Sequence, residues 1–281
     1  MGGCVILNIM NVVYIDNLEA PEVAPYARLT EAQLLNRLHP EAGLFICESQ
    51  KVIRVALAAG MRPESFLCEE RLLPQVEELM HGGGEVPVYT ASREVLCRLT
   101  GYELTRGVLC AMHRPQLPSA DVLLASLCAA HAARLRVAVM DGVVNSENTG
   151  AIFRAAASLG IDAVLLTRTC CDPLNRRACR VSMGTVFQLP WTFLDSYDQL
   201  RRGGFKTVAM ALTDRSVPVD DPQLKQIDRM AIVMGTEGDG LSEGVLGRCD
   251  HVARIPMQRG VDSLNVAAAA AVAFWELRAQ N

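Results

Sequence analysis

Residues 255–265 read IPMQRGVDSLN and join a short apolar strand to an apolar helix through an irregular loop. The run that follows, residues 264–278, is alanine-rich and apolar almost all round, which predicts a helix buried on most sides. Ser263 is the predicted N-cap of that helix, so that the unpaired N–H groups of the helix end face the loop. By themselves these residues fit either a ligand site or a capped core helix.

A glycine-rich turn precedes this stretch along the chain. It reads GTEGDGL over residues 235–241 and directly follows the apolar run MAIVM, which predicts a buried strand of a parallel sheet. Open α/β sheets bind ligands at the carboxyl ends of such strands. The glycine spacing is not that of a dinucleotide fingerprint or a phosphate loop, and Glu237 and Asp239 would repel a pyrophosphate. The turn therefore favours a neutral or cationic ligand.

Three motifs, taken together, resemble those of a known family. Residues 148–154 read NTGAIFR, residues 235–241 read GTEGDGL, and IPM is followed by SLNV within residues 255–266. In this order they resemble the three motifs of the SpoU (TrmH-like) RNA 2′-O-ribose methyltransferases of the SPOUT superfamily. The resemblance implies S-adenosyl-L-methionine as the cofactor and RNA, in particular ribosomal RNA, as the partner. It also implies a deep trefoil knot in the catalytic domain and a homodimer whose active site is completed across the interface.

The resemblance implies roles for five side chains. Arg154 would hold the ribose or its phosphate and stabilise charge, because a guanidinium is a poor base for a hydroxyl. Asn148 would orient Arg154 or the ribose, and Glu237 would hold the same network. Ser263 and Asn265 would complete the pocket on the hydroxyl side.

The resemblance also assigns the methyl donor to backbone groups of Gly235, Ile255 and Leu264, and the glycine would permit close approach. One departure from the family pattern lies in the third motif. Arg259 occupies the place where the family usually has glycine, and the glycine is displaced to Gly260. Donor binding is little affected by this departure, whereas the choice of substrate stays open.

The predicted elements divide the chain into three parts with an α/β fold. Residues 1–115 alternate strands and helices and resemble the ribosomal-protein-L30-like substrate-binding domain; a small domain without RNA contact is the alternative. Residues 116–134 hold a proline-containing linker and a first helix. Residues 135–281 predict a parallel-sheet domain, with strands near 136–140, 161–166, 186–189, 207–211, 230–234 and 252–255 and a helix at 150–159.

The composition is that of an ordinary soluble protein. Its 281 residues are 50% hydrophobic, and a net charge of −4 argues mildly against a uniformly RNA-binding surface. Cations cluster at 176–180 and 201–206, which fits either phosphate contacts or solvated helix faces. Ten cysteines without zinc-type spacing indicate a reduced, cytoplasmic protein and no metal site. Residues 1–10 are too short to span a bilayer and are interpreted as a strand or an over-long start.

Two other functions compete with ribose methylation. One is a base methyltransferase on the same knotted scaffold, and the other is a non-catalytic RNA-binding protein with a relic donor site. The presence of Arg154, Glu237 and Asn265 argues against the relic. The sequence therefore favours an S-adenosyl-L-methionine-dependent RNA ribose 2′-O-methyltransferase.

Overall fold

The computed structural model describes residues 10–17, 19–27, 29–36, 39, 42–80, 85–100, 107–130 and 134–279. Residues 1–9 lie outside these ranges, and with them most of the segment 1–10 that was interpreted as a strand. The chain forms two compact units that divide between Gln116 and Leu117, and the segment Leu174–Arg180 groups with the first unit. Across the described ranges, no helix has both the length and the apolar character that a bilayer crossing needs.

In the described residues, the first unit is a mixed sheet of five strands with helices between them. The strand order is β1-β4-β3-β5-β2, in which β1, β4 and β3 are parallel and β5 is antiparallel to β3 and β2. The predicted alternation of strands and helices is confirmed. The strands are β1 (Val12–Tyr14), β2 (Leu44–Glu48), β3 (Pro63–Glu69), β4 (Val88–Ala91) and β5 (Val108–His113). The helices are α1 (Ala24–Ala27), α2 (Glu31–Leu35), α3 (Gln50–Ala58), α4 (Leu73–Leu79) and α5 (Arg93–Thr100).

The segment Leu174–Arg180 carries one of the predicted cation clusters. Arg176 Nε lies 3.2 Å and Arg180 Nη1 lies 3.6 Å from the carboxylate of the buried residue Glu48. A carboxylate that is removed from water needs such partners. These two guanidinium groups therefore have a structural role.

The second unit is a sheet of seven described strands, all parallel, in the order β10-β12-β9-β11-β6-β7-β8. The predicted parallel α/β sheet is confirmed. Its strands are β6 (Leu135–Met140), β7 (Ala163–Leu166), β8 (Trp191–Phe193), β9 (Lys206–Met210), β10 (Val217–Pro218), β11 (Arg229–Met234) and β12 (His251–Arg254). Its helices are α6 (Ala120–Ala130), α7 (Ser146–Ser158), α9 (Asp198–Arg202), α10 (Pro222–Lys225), α11 (Glu243–Leu246) and α12 (Val266–Glu276). Helix α8 (Arg176–Val181) belongs, except for its last residue, to the segment that groups with the first unit.

Because the strands are parallel, the loops that follow them meet at one edge, here called the carboxyl edge. The loops after β6, β9, β11 and β12 lie next to one another there, since these strands are neighbours in the sheet. The second predicted cation cluster lies at the opposite edge, where β9 begins. Its cations are paired with carboxylates, in the pairs Arg201–Asp198, Arg202–Asp121 and Lys206–Asp250.

The prediction of a strand at residues 186–189 is wrong. Gly184 has a φ of 87°, and the chain then makes a 3-10 turn at Thr185–Phe187, closed by a hydrogen bond from Gln188 N–H to the Thr185 carbonyl. Val186 lies in this turn, and its apolar side chain is buried. The strand follows Pro190 and is β8. A short apolar run does not distinguish a buried turn from a strand.

The bounds of two helices also differ from the prediction. Helix α7 begins at Ser146, four residues earlier than predicted, because the Asn145 side chain caps it. Helix α12 is not buried on most sides. Its residues Ala268, Val272 and Trp275 form one exposed stripe, with exposed fractions of 40% for Val272 and 56% for Trp275.

Arg136 ties the end of α12 to the centre of the sheet. It is the largest fully buried side chain in the described residues. Its Nε donates to the Leu277 carbonyl at 2.6 Å, and its Nη1 donates to the carbonyls of Leu135 and Asp228 at 3.0 and 2.9 Å. Burial lowers the pKa of Arg136. Three carbonyl groups therefore depend on this one guanidinium.

We expect Arg136→Met to lower the free energy of unfolding by roughly 2–4 kcal/mol, because the buried carbonyls lose their donors. Chemical denaturation followed by circular dichroism measures this. The exposed Arg201→Ala serves as the control and should change stability by less than about 0.5 kcal/mol. An Arg136→Met protein as stable as the control would contradict this role.

Candidate functional site

The side chain of Asn148 connects three separated segments at the carboxyl edge. Asn148 lies in the first turn of α7, and its Nδ2 donates to Glu237 Oε1 at 2.8 Å. Its Oδ1 accepts a hydrogen bond of 3.0 Å from Asn265 Nδ2. One amide thus links the start of α7 to the turn after β11 and to the loop before α12.

Glu237 lies in the turn after β11 and is half-buried. Besides the Asn148 amide, its carboxylate accepts the backbone N–H groups of Val144 and Asn145, each at 3.3 Å. Burial alone would raise the pKa of Glu237, but the hydrogen bond from Asn148 and those from the backbone outweigh it and hold that pKa below its ordinary value. The carboxylate also lies beside the amino end of α7, where the helix dipole favours negative charge. Glu237 is therefore an anion at neutral pH.

Asn265, and not Ser263, is the N-cap of α12. Its Oδ1 accepts the backbone N–H groups of Ala267 and Ala268, at 3.0 and 3.4 Å. The prediction for Ser263 was wrong because the loop continues for two residues before the helix begins. Ser263 is exposed, and within the described residues its hydroxyl has no hydrogen-bond partner. It is free to bind a ligand.

Gly235 is required by the backbone of its own turn. A Cβ atom at this position would lie 2.5 Å from the carbonyl carbon of Gly240 and 2.7 Å from the nitrogen of Leu241. The same turn is closed by a hydrogen bond of 3.3 Å from Thr236 N–H to the Gly240 carbonyl. Any side chain would open the turn that presents Glu237.

The expected donor pocket lies around the ends of β12, β9 and β11, which are adjacent in that order. Ile255 directly follows β12, and Gly235 directly follows β11. Leu212 follows β9 between them and is 64% exposed, while Leu264 is 40% exposed. The sequence analysis missed Leu212, although an apolar residue just past a predicted strand end was a usable signal.

A second network that the sequence analysis missed fixes the loop after β6. The Tyr197 hydroxyl donates to Asp141 Oδ2 at 2.6 Å, and the N–H of Gly142 donates to Thr167 Oγ1 at 3.0 Å. Burial, followed by the hydrogen bond to Asp141, raises the pKa of Tyr197, so this hydroxyl stays protonated. The network holds the loop whose N–H groups bind Glu237. The position of Asp141 directly after a predicted strand was the only feature of the sequence that indicated a role at this edge.

Arg154 is not part of the Asn148 network within the chain. It is exposed in the third turn of α7, and within the described residues its guanidinium makes no hydrogen bond or ion pair. Six helical residues separate it from Asn148, which corresponds to roughly 9 Å along the axis and about a third of a turn around it. Arg154 therefore projects from a different face of α7 than Asn148.

Among the residues that the structure describes, no group of three or more His, Cys, Asp or Glu side chains could hold a metal ion. The polar groups at the carboxyl edge are instead amides and a carboxylate that are bonded to one another.

Comparison with known proteins identifies the family. The model of the SpoU rRNA methylase family matches residues 135–275, which is half of the chain and includes all three connected segments. The chain belongs to the SpoU rRNA methylase family. It is 39% identical over 238 residues to an uncharacterised tRNA/rRNA methyltransferase of Mycobacterium bovis, covering 83% of this chain and 80% of that protein.

Two further comparisons extend this result. The chain is 31% identical over 209 residues to a 23S rRNA (guanosine-2′-O-)-methyltransferase of Vibrio cholerae, covering 74% of this chain and 83% of that one. The crystal structure of an AdoMet-bound rRNA methyltransferase from Sinorhizobium meliloti matches with a TM-score of 0.77 and 22% identity, over 95% of this chain and 98% of that one. At this identity the structural match shows a shared fold.

We expect Glu237→Gln to destabilise the protein by about 1 kcal/mol at pH 7, because a neutral amide accepts the same hydrogen bonds less well. The folded-state pKa of Glu237 lies below the ordinary value of 4.5, so its contribution is complete above that value and is lost as the pH falls through the lowered pKa. The difference between wild type and variant should therefore shrink on acidification.

Unfolding midpoints measured between neutral and acidic pH test this expectation. The matched control is Asp239→Asn, an exposed carboxylate in the same turn. A Glu237→Gln effect that stays constant as the pH falls would show that the charge of Glu237 is not the cause.

Proposed function

We propose that this SpoU protein transfers a methyl group from S-adenosyl-L-methionine to a ribose 2′-hydroxyl of RNA, in particular ribosomal RNA. The observation that carries the proposal is the Asn148 amide, which joins all three family segments in one hydrogen-bonded network. The Vibrio relative, named as a guanosine 2′-O-methyltransferase, supports the ribose over the base.

The donor would bind at the ends of β12, β9 and β11. Backbone groups of Gly235, Ile255 and Leu264 would hold the adenine, and Leu212 would pack on it, since its side chain is exposed beside them. The anionic Glu237 supplies a charge of the sign that a sulfonium needs. When bound, the cofactor would supply its sulfonium methyl group to the 2′-oxygen, whose proton would pass to water, and S-adenosyl-L-homocysteine would remain.

Glu237 is a poor general base for this reaction. Its pKa is held below the ordinary value, whereas a ribose hydroxyl is a very weak acid, and efficient proton transfer needs a closer match. Its role is to orient Asn148. Arg154 would place the 2′-oxygen and stabilise the negative charge that develops on it, which a permanently charged guanidinium does well. Ser263, whose hydroxyl is free, would bind the ribose beside Asn265.

We further propose that the active site forms between two copies of the chain. Arg154 projects from a different face of α7 than Asn148, so a second copy would supply it to the network. The exposed stripe Ala268, Val272 and Trp275 on α12 supports an interface there, because α12 packs along α7 and the stripe is apolar. An apolar stripe on a helix beside the site gains stability when a partner covers it.

Two finer features belong to the same proposal. The parallel sheet of the second unit would contain the trefoil knot of the SPOUT superfamily, with the donor bound in it. The first unit would bind structured RNA by its shape, as L30-like domains do in related enzymes. A cytoplasmic location accords with this substrate.

We expect Arg154→Ala to reduce methyl transfer by about 100-fold or more, because the charge that stabilises the reacting oxygen is lost. The assay uses labelled S-adenosyl-L-methionine and total RNA. Arg248→Ala is the matched control, since Arg248 is also exposed but precedes β12 and so lies at the opposite edge of the sheet. Donor binding, measured by calorimetry, should be unchanged in both variants.

The same assay separates the competing functions. A methylated ribose protects the neighbouring phosphodiester, so nuclease digestion leaves a labelled dinucleotide, whereas a methylated base leaves a labelled mononucleotide. Full activity of Arg154→Ala would refute the assigned role. A wild-type protein that binds RNA but not the donor would instead be a non-catalytic RNA-binding protein with a relic donor site.

Mixed dimers test the shared site. Arg154→Ala and Asn148→Ala proteins should each be inactive, but mixing them should restore roughly a quarter of wild-type activity, because random pairing leaves one site in four with both residues intact. The measurement is methyl transfer after subunit exchange. A mixture as inactive as its components would argue for a site within one chain.

A further inference from the structure

The loop between β12 and α12 contains a backbone conformation that its side chain does not favour. Arg259 has a φ of 59° and Gly260 a φ of 71°, and Val261 N–H donates to the Gln258 carbonyl at 3.2 Å. Two successive positive φ values inside such a bond are the pattern of a type I′ turn, which prefers Asn, Asp or Gly at its first central position. An arginine there is destabilising, because its Cβ crowds the backbone.

Among the residues that the structure describes, no polar contact of the side chain offsets the cost of this conformation. Arg259 is exposed, and in the described part of the chain its guanidinium takes part in no hydrogen bond or ion pair. A strained residue whose guanidinium has no hydrogen bond or ion pair within the described residues is a candidate for function. The function of the side chain therefore lies in binding another molecule.

The charges around the site indicate what that use is. The three segments at 141–154, 234–244 and 255–265 carry the carboxylates of Asp141, Glu147, Glu237, Asp239, Glu243 and Asp262. Against these six they carry two cations, Arg154 and Arg259. A polyanion that approaches this edge is repelled unless cations bind its phosphates. Arg154 is assigned to the reacting oxygen, so Arg259 is the other cation of these segments that could bind a neighbouring phosphate.

We propose that Arg259 binds a backbone phosphate of the substrate RNA beside the nucleotide that is modified. The turn places the guanidinium at the tip of the same loop that carries Ser263 and Asn265 into the site. A contact there fixes the register of the RNA, because phosphate contacts position a nucleic acid while other contacts specify it. This inference rests on the proposed function, in that it requires RNA as the substrate.

The test compares three full-length variants with the wild type. Arg259→Gly removes the charge and suits the turn, Arg259→Lys keeps the charge, and Arg248→Ala removes a matched exposed charge at the opposite edge. Affinity is measured by fluorescence anisotropy with a fluorescein-labelled RNA hairpin of mixed sequence, from about 0.05 to 0.2 M salt. Melting temperature and donor affinity are measured in parallel, together with KM and kcat for methyl transfer to ribosomal RNA.

We expect Arg259→Gly to weaken RNA binding roughly tenfold, to reduce the slope of log affinity against log salt by about one, and to raise KM more than it lowers kcat. Its melting temperature should be unchanged or higher, because glycine removes the strain. Arg259→Lys should retain most of the affinity, and Arg248→Ala should bind as the wild type does.

Two outcomes would overturn the inference. One is an Arg259→Gly protein with wild-type RNA affinity and salt slope. The other is a variant that loses donor affinity and thermal stability together with RNA binding, which would show a structural role for the side chain. Failure of the proposed function is distinct from both, since the wild type itself would then not methylate RNA.

Discussion

The Asn148 side chain donates to Glu237 and accepts from Asn265, so a single amide holds together three segments that lie far apart in the sequence. An amide suits this place because it offers a donor and an acceptor at the same time. A carboxylate at 148 would repel Glu237, and an apolar side chain would remove one hydrogen bond from Glu237 and one from Asn265. The site therefore depends on the identity of this residue.

The charge of Glu237 is maintained by the backbone as much as by side chains. The N–H groups of Val144 and Asn145 reach it because the loop after β6 is held by Asp141 and its bond to Tyr197. A carboxylate that is held in this way stays ionised, which makes it a fixed anion and not a proton acceptor. In the proposed reaction this carboxylate would therefore act through its charge and its position.

The sequence predicted the parallel sheet well and the site only in part. The apolar run that forms β11 is short and is followed directly by a glycine-rich turn, which favours a buried strand. The motif positions identified Asn148, Glu237 and Asn265, and the structure brings these together. Short apolar runs failed at residues 186–189, where a glycine turn decided the conformation. Asp141, Tyr197 and Leu212 were missed because their importance arises from neighbours that are distant in the sequence.

The position of Arg154 could not be deduced from its motif spacing. The prediction put it near the start of a helix, but the Asn145 cap moves that start back, and Arg154 projects from another face of α7. The apolar pattern of α12 also did not predict its exposed stripe, because apolar residues occur both in a protein core and in an interface with a partner. The proposed second copy would account for both features. A second copy that covers Val272 and Trp275 would lie beside α7, and its own Arg154 would then face the Asn148 network.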